Sequence, residues 1–458
     1  VIANIQEREV DYDVIVVGAG LAGLGAGALL AQRGVRVLVL EGRPVTGGRA
    51  MVVREAGFTL NYGLHYMMGG YNAPFHRILR AVGKADAVRF APMDMRKIWR
   101  RRNGRLHLIP TSTGAMLSTG LLSLRGKLGL PRAMAALMKA DAEQLWHTPL
   151  GEWLDKVAPE PTLRSFLLDT AGPLTFEARP ELLSAAHFIL EFRVTLGMKG
   201  TLATYPSGGW GAIADALQAR IEESGGAVRV RAKAERLQIA DGQAAGVWAD
   251  GQLIPARAVV AALPPRALAQ LLHHTPLLEL SPERLGRIRP TMGVAVDLGL
   301  MGIDNERIAT IEMPEDNATS GFHNMFQPDL APPGGLLFQG LRWLTAEQLD
   351  DRAEVKRTEE LFLDRLASIW PDVRSKVVVR RSLVRPIMTG ASHTYDQPRT
   401  TLPPVEVGSL PGLYLAGDAT NAPGELSAPA GESALIAAER VAERLARGVG
   451  RPLRELSA

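Results

Sequence analysis

Short runs of consecutive apolar residues alternate along this chain with stretches whose apolar positions recur every three to four residues. VIVV, Val14–Val17, follows Asp13 and has the unbroken β-branched character of a buried parallel strand. From Leu21 onward Leu24, Ala28 and Leu29 fall on one side of a helix, and Gly18, Gly20 and Gly23 stand between strand and helix. A second apolar run, VRVLVLE, ends in Glu41. The stretch Tyr205–Leu237 reads as a glycine turn, an amphipathic helix with Ile213, Leu217 and Ile221 on one side, and an alternating strand. Asp250-Gly251 then marks a hairpin turn inside GVWADGQLIPARAVVAALPP. Near the end, GLYLAGD reads as another buried strand ahead of a turn and a helix, starting near Gly431, with Ala434, Leu435, Ala438, Val441 and Leu445 on one stripe.

Between these blocks the pattern changes. Residues 76–200 carry long helical runs, including Met116–Ala140, and residues 276–405 mix strands such as MGVAVDLGL and KVVVRRSLV with a charged helix around Thr345–Trp370. No repeat and no low-complexity segment interrupts them. At 458 residues the chain has length for two or three domains. Its 46% apolar and 22% charged residues are ordinary globular usage, and a net charge of +4 gives no case for nucleic acid. With no cysteine there is no disulfide, thiolate metal site, cysteine nucleophile or cysteinyl cofactor link. The uncharged run Val14–Gln32 is long enough for a membrane span, but its glycines and the strand-to-turn switch at Gly18 argue against one. Nothing before Asp13 reads as a signal peptide, so a cytoplasmic location is the expectation.

Gly18, Gly20 and Gly23 form G-x-G-x-x-G at a strand–helix junction, where free N–H groups of Gly20, Leu21 and Ala22 and the positive helix end favour a pyrophosphate. Glu41 follows Gly20 at the spacing of a ribose hydroxyl contact. The chain continues EGRPVTGGR, Glu41–Arg49, and a plain nicotinamide domain has no use for the Gly47-Gly48 pair followed by Arg49. This E-x-R-x-x-x-G-G-R resembles the FAD-binding signature of the flavin amine oxidase and phytoene desaturase superfamily, and the phrasing of the later blocks is closest to its phytoene desaturase and retinol saturase-like branch.

The resemblance implies an α/β fold: a Rossmann-like, doubly wound FAD-binding domain assembled from residues 1–75, 201–275 and 406–458, and a mixed α+β substrate domain from 76–200 and 276–405 with a helical cover. It implies FAD contacts from Gly18, Gly20, Leu21, Ala22, Gly23, Glu41, Gly42, Arg43, Gly48 and Arg49, and from Tyr62, Gly63, Leu64 and His65 in the segment beside the flavin. Ala234 matches a backbone position along the adenine, Gly417 and Asp418 approach the pyrophosphate and ribityl chain, and Ala430 lies where a helix end points at the flavin pyrimidine. His65 and Tyr66 are the local candidates for a wall or proton donor. Trp210, His393 and Tyr395 are candidates for the substrate cavity. No metal ligand set is expected.

The resemblance divides by chemistry. Amine oxidases of the superfamily carry a lysine on a substrate-domain strand, and Thr291–Gly302, which corresponds, has none. Glu425 in NAPGELSAPAGES departs from the glycines usual in desaturases. The expected activity is hydride transfer between flavin and a C–C or C=C bond of a lipophilic molecule, in biosynthesis. The alternative is an amine or protoporphyrinogen oxidase-like enzyme using oxygen, and a third reading is a non-enzyme like the Rab GDP dissociation inhibitors, against which Glu41, Arg49 and Asp418 argue. No second nucleotide fingerprint is visible, so a dedicated NADPH domain is not expected, and the electron acceptor is left open. Two basic stretches complete the picture. RKIWRRRNGR, Arg96–Arg105, reads as a solvated hairpin turning at Asn103-Gly104, with an anionic group near it as the functional alternative. Arg125, Lys127, Arg132 and Lys139 among the leucines and methionines of Met116–Ala140 suggest cover helices with weak peripheral contact to lipid.

Overall fold

The computed structural model describes residues 11–63, 66–198, 200–275 and 277–448. The strands of its two main sheets are, in chain order, β1 (Val14–Val17), β2 (Val37–Leu40), β3 (Ile98–Arg102), β4 (Arg105–Leu108), β5 (Ala227–Arg229), β6 (Ala258–Ala261), β7 (Thr291–Met301), β8 (Thr310–Met313), β9 (Ala318–Phe322), β10 (Gly335–Trp343), β11 (Val377–Thr389) and β12 (Leu413–Leu415). The first sheet is parallel in the order β5-β2-β1-β6-β12 and draws its strands from three separated stretches of chain. All four residues of β1 are buried, as are those of β2 and β6, because helices cover one face while a three-stranded antiparallel sheet (residues 234–255, through Leu237 and Val247) and the short helix Pro265–Leu271 cover the other. That is why these strands read as solid apolar runs rather than alternating ones, and why the sheet is not flanked by helices on both sides as a doubly wound fold would be.

Helix α1 (Leu21–Gln32) departs from its amphipathic reading, since Leu21 to Ala31 are buried all round. Gly25 and Gly27 explain how it fits: a Cβ on Gly25 would stand 3.4 Å from the Ala434 methyl, and one on Gly27 would stand 3.1 Å from Ile221. These two glycines serve helix packing, so only part of the glycine-rich stretch serves the turn.

The second sheet is larger and mostly antiparallel, in the order β11-β7-β10-β9-β8-β3-β4. Strand β7, next to the edge strand β11, is buried along most of its length, and Phe362, Leu363 and Leu366 of a helix at Arg352–Ala367 pack in the same core. The β3–β4 hairpin turns at Asn103 and Gly104, both with positive φ (50° and 75°), the geometry that Asn-Gly suits. Its solvated reading is corrected. Arg100 is only 2% exposed and donates to Glu312 Oε2 at 2.8 and 2.7 Å, while Arg102 reaches Asp169 at 2.7 Å, so these charges hold the hairpin against β8 and the helices.

Helix α2 (Pro74–Ala81) packs Phe75, Ile78 and Leu79 into the core under α1, whereas the helical cover comprises α3 (Thr113–Ser118), α4 (Leu124–Lys139), α5 (Leu150–Val157), α6 (Pro161–Thr175) and α7 (Ala185–Gly197). Its core contains Leu137, Trp146, Trp153, Leu167, Phe188 and Ile189. The Met116–Ala140 run is two helices, broken where Thr119, Leu121 and Leu122 turn inward and are buried. Helix α8 (Gly211–Glu223) buries Ile213, Leu217 and Ile221, the stripe expected from sequence. The charged helix divides into Ala346–Asp350 and Arg352–Ala367, with Asp351 capping the second through the Ala353 N–H at 2.8 Å. The C-terminal helix, α9 (Ala428–Gly448), starts three residues before Gly431. No helix among the described residues is long and apolar enough to cross a membrane.

Candidate functional site

The turn after β1 is built by steric exclusion. Gly18 has φ +103°, and a Cβ there would meet the Ala262 carbonyl oxygen at 2.4 Å; one on Gly23 would meet the Gly18 oxygen at 2.0 Å. Gly20, the N-cap of α1, has nothing within 4 Å of its Cβ position and brings no side-chain cap. The first-turn N–H groups of Leu21, Ala22 and Gly23 have no partner within the helix, so an open concavity faces unsatisfied donors at the positive helix end. Gly48 closes its other side: a Cβ there would lie 3.2 Å from Gly20 Cα, and the Gly47 N–H donates to the Ala19 oxygen at 2.7 Å.

Glu41 lies at the carboxyl end of β2. Its carboxylate accepts the Ala19 and Arg43 backbone N–H groups, each at 2.9 Å, which aims it while leaving lone pairs for a diol. The Glu41, Gly42 and Arg43 backbone is zipped to residues 229–232 through Glu41 N–H to the Arg229 oxygen (2.8 Å), Ala232 N–H to the Glu41 oxygen (2.9 Å) and Arg231 N–H to the Arg43 oxygen (2.9 Å). Ala234 opens the strand just beyond this zipper.

A second side comes from the chain end. Asp418 is buried and accepts from Arg49 Nη2 at 2.5 Å and from the Gly390 N–H at 2.7 Å. Burial works to raise its carboxyl, and the Arg49 charge and these hydrogen bonds outweigh it, holding the group below the usual carboxylate range. Gly417, at φ +139°, also has nothing within 4 Å of its Cβ position, and its N–H donates to Ser433 Oγ of α9 at 2.8 Å. Ala430 sits in the first turn of α9, half-buried.

Tyr62 is exposed beneath the Arg381 guanidinium, 5.8 Å from its ring centre, and Gly63 has open space at its Cβ position. Leu64 and His65 lie outside the described residues. Tyr66 packs edge-on against Tyr205 at 6.1 Å, and burial, with Glu312 adding to it, pushes its phenol far above the ordinary range, so it stays protonated. Trp210 is fully buried against Phe75 in the core under α1, its backbone N–H donating to Asn61 Oδ1 at 3.1 Å. Tyr395 faces the surface, where its carbonyl meets His147 Nδ1 at 3.1 Å.

His393 is buried, with neighbours that no local pattern announces. Its ring lies 4.2 Å from that of His187 on α7, and His187 Nε2 contacts Glu425 Oε1 in the turn before α9. Burial pushes the His393 imidazole down to about 4 and His187 well below its usual range, and raises Glu425 well above the usual carboxylate range. Glu191, one turn along α7, is raised by burial to about 7 against the opposing pull of Arg399. His187 and Glu191 stand in AAHFILEF, which reads as a core-facing helix, so the sequence carried no signal for them.

The structure thus holds a glycine turn at a helix end with Glu41 beside it, the Arg49–Asp418 pair, and a buried polar cluster of His187, His393 and Glu425. The family profile for flavin containing amine oxidoreductases matches residues 21–442. The chain belongs to that family. It is 25% identical to the chloroplastic prolycopene isomerase of Daucus carota, over 96% of this chain and 81% of that protein. It is 29% identical to the putative flavin-containing monoamine oxidase AofH of Mycobacterium tuberculosis, over 59% of this chain and 63% of that protein. Its fold is that of an oxidoreductase from Methanosarcina mazei, with TM-score 0.77, 22% identity and coverage of 93% and 99% of the two chains. The same holds for the cyclohexylamine oxidase of Brevibacterium oxydans, with TM-score 0.70, 16% identity and coverage of 95% and 100%. The expected family and cofactor are therefore borne out: this flavoprotein binds FAD and is an FAD-dependent oxidoreductase acting on an organic substrate. Bound FAD supplies the hydride-transferring ring, and the chain supplies binding, orientation and protection from water.

Proposed function

We propose that this enzyme moves a hydride between its flavin and a C–C or C=C bond of a lipophilic molecule. In this reading residues 1–75, 201–275 and 406–458 hold the FAD, through Gly18, Gly20 to Gly23, Glu41 to Arg43, Gly48, Arg49, Tyr62 to His65, Ala234, Gly417, Asp418 and Ala430. Residues 76–200 and 276–405 hold the substrate. The observation that carries the reading is the outer face of the helical cover, where Leu117, Leu124 and Leu128 are 67%, 76% and 75% exposed. A water-facing surface gains nothing from three such leucines, whereas an apolar molecule arriving from lipid or from a carrier does. The absence of lysine from β7 and the prolycopene substrate named for the Daucus carota relative agree with it.

Amine oxidation with oxygen as acceptor is the second reading. The family's own description and the AofH relative favour it. Anaerobic mixing of the holoprotein with apolar polyenes in detergent and, separately, with primary and secondary amines decides between them. Flavin bleaching by the polyenes alone is the expected result. Bleaching by amines, with hydrogen peroxide released on admitting air, would replace the first reading with the second.

A further inference from the structure

We infer that His187, His393 and Glu425 form a binding site for one divalent transition-metal ion, of the zinc or manganese type, which ties the helical cover to the flavin-side loops. One ligand atom from each residue lies within 4.8 Å of the other two, and all three side chains are buried. Two imidazoles and one carboxylate are a donor set that such ions accept, with three protein ligands and one position left open. Zinc holds such atoms at about 2.0–2.2 Å from the ion, so His187 Nε2 and Glu425 Oε1, which touch here, part to admit it while His393 draws in, all by side-chain rotation. An independent observation points the same way: His187 Nδ1 and His393 Nδ1 are buried without a hydrogen-bond partner. A buried imidazole nitrogen without a partner is costly, and an ion is one of the few things that explains a pair of them.

The three residues arrive from helix α7, from the loop after β11 that begins at the Asp418 partner Gly390, and from the turn between β12 and α9. His187 and Glu425 are 238 positions apart, so an ion joining them crosslinks the cover to the segment carrying Gly417 and Asp418.

The test is elemental analysis and thermal melting of the FAD-loaded protein, purified without a metal-affinity step. About one zinc or manganese per chain is expected; a chelator removes it and lowers the melting temperature, and ZnCl2 or MnCl2 restores both. His393→Ala and Glu425→Gln should each lose the ion while keeping the flavin absorbance band. If either fails to fold, His187→Gln takes its place. Wild-type protein with less than about a tenth of an ion per chain, and with no melting response to ZnCl2 or MnCl2, would overturn the site and leave a proton shared between Glu425 and His187. An ion retained by both variants would overturn it equally. The flavin band reports cofactor binding separately, so loss of the metal site and failure of the FAD reading are told apart.

Discussion

Glycines in the first turn are not equivalent, and substitution separates them. Gly23→Ala sets a methyl against the Gly18 oxygen, so the backbone must shift at a cost of about 1–3 kcal/mol, lowering both apoprotein melting temperature and FAD affinity. Gly20→Ala meets nothing in the protein, so the apoprotein should melt unchanged while FAD affinity, followed by flavin fluorescence, falls tenfold or more, on the order of 1.4 kcal/mol. Equal effects of the two would contradict the proposed pyrophosphate position. Single histidines set an acid limit. Burial holds His76 and His323 down at about 4, against 6.5 for a free imidazole. Between these values the unfolded chain takes up protons that the folded one refuses, so stability is full above about pH 6.5 and drains away as pH falls toward 4. Melting temperature should drop over that window. His323→Gln, which keeps a donor for Gln339 but does not titrate, should shallow the slope. Which glycines turn the chain was legible from their neighbours; which histidines are buried was not, because His76 meets Thr204 128 positions away and His323 meets Gln339 across to the neighbouring strand.

Elements were legible where one periodicity governs them. The parallel strands and α8 emerged as read, whereas α1 did not, because its polar-poor sequence is buried by neighbours on every side. The basic hairpin shows the same limit: its turn is local chemistry, but Arg100 is drawn inward by Glu312, a strand partner more than 200 residues away. On the outer helices, Leu124→Ser with Leu128→Ser removes exposed apolar surface one turn apart on α4. Melting should change by less than about 0.5 kcal/mol equivalent, while KM for a lipophilic substrate rises. Replacing Arg125, Lys127 and Arg132 by Gln should weaken pelleting with anionic liposomes, each charge contributing about 1 kcal/mol at low salt. Pelleting that persists unchanged in the leucine and arginine variants would place lipid contact elsewhere.

On the scale of the whole molecule, Asp418 joins three distant segments, taking Arg49 from the N-terminal stretch and Gly390 from the end of the large sheet. Asp418→Asn keeps the shape and loses the charge. Because Arg49 is partly exposed, a cost of about 1–3 kcal/mol is expected, together with weaker FAD retention on gel filtration. The flavin itself should leave the protein on acid precipitation, since no cysteine is present to hold it; colour in the pellet would mean a bond to another side chain. The sequence alone determined the glycine turn, the glutamate at the end of β2 and the family, since a turn needs only its own glycines and a strand–helix junction only its own periodicity. Tertiary structure decided the rest. His187, His393 and Glu425 have ordinary neighbours in the chain, and they meet only because a cover helix, a sheet end and the turn before α9 pack around one buried point, where the loss of water forces their polar atoms to answer one another.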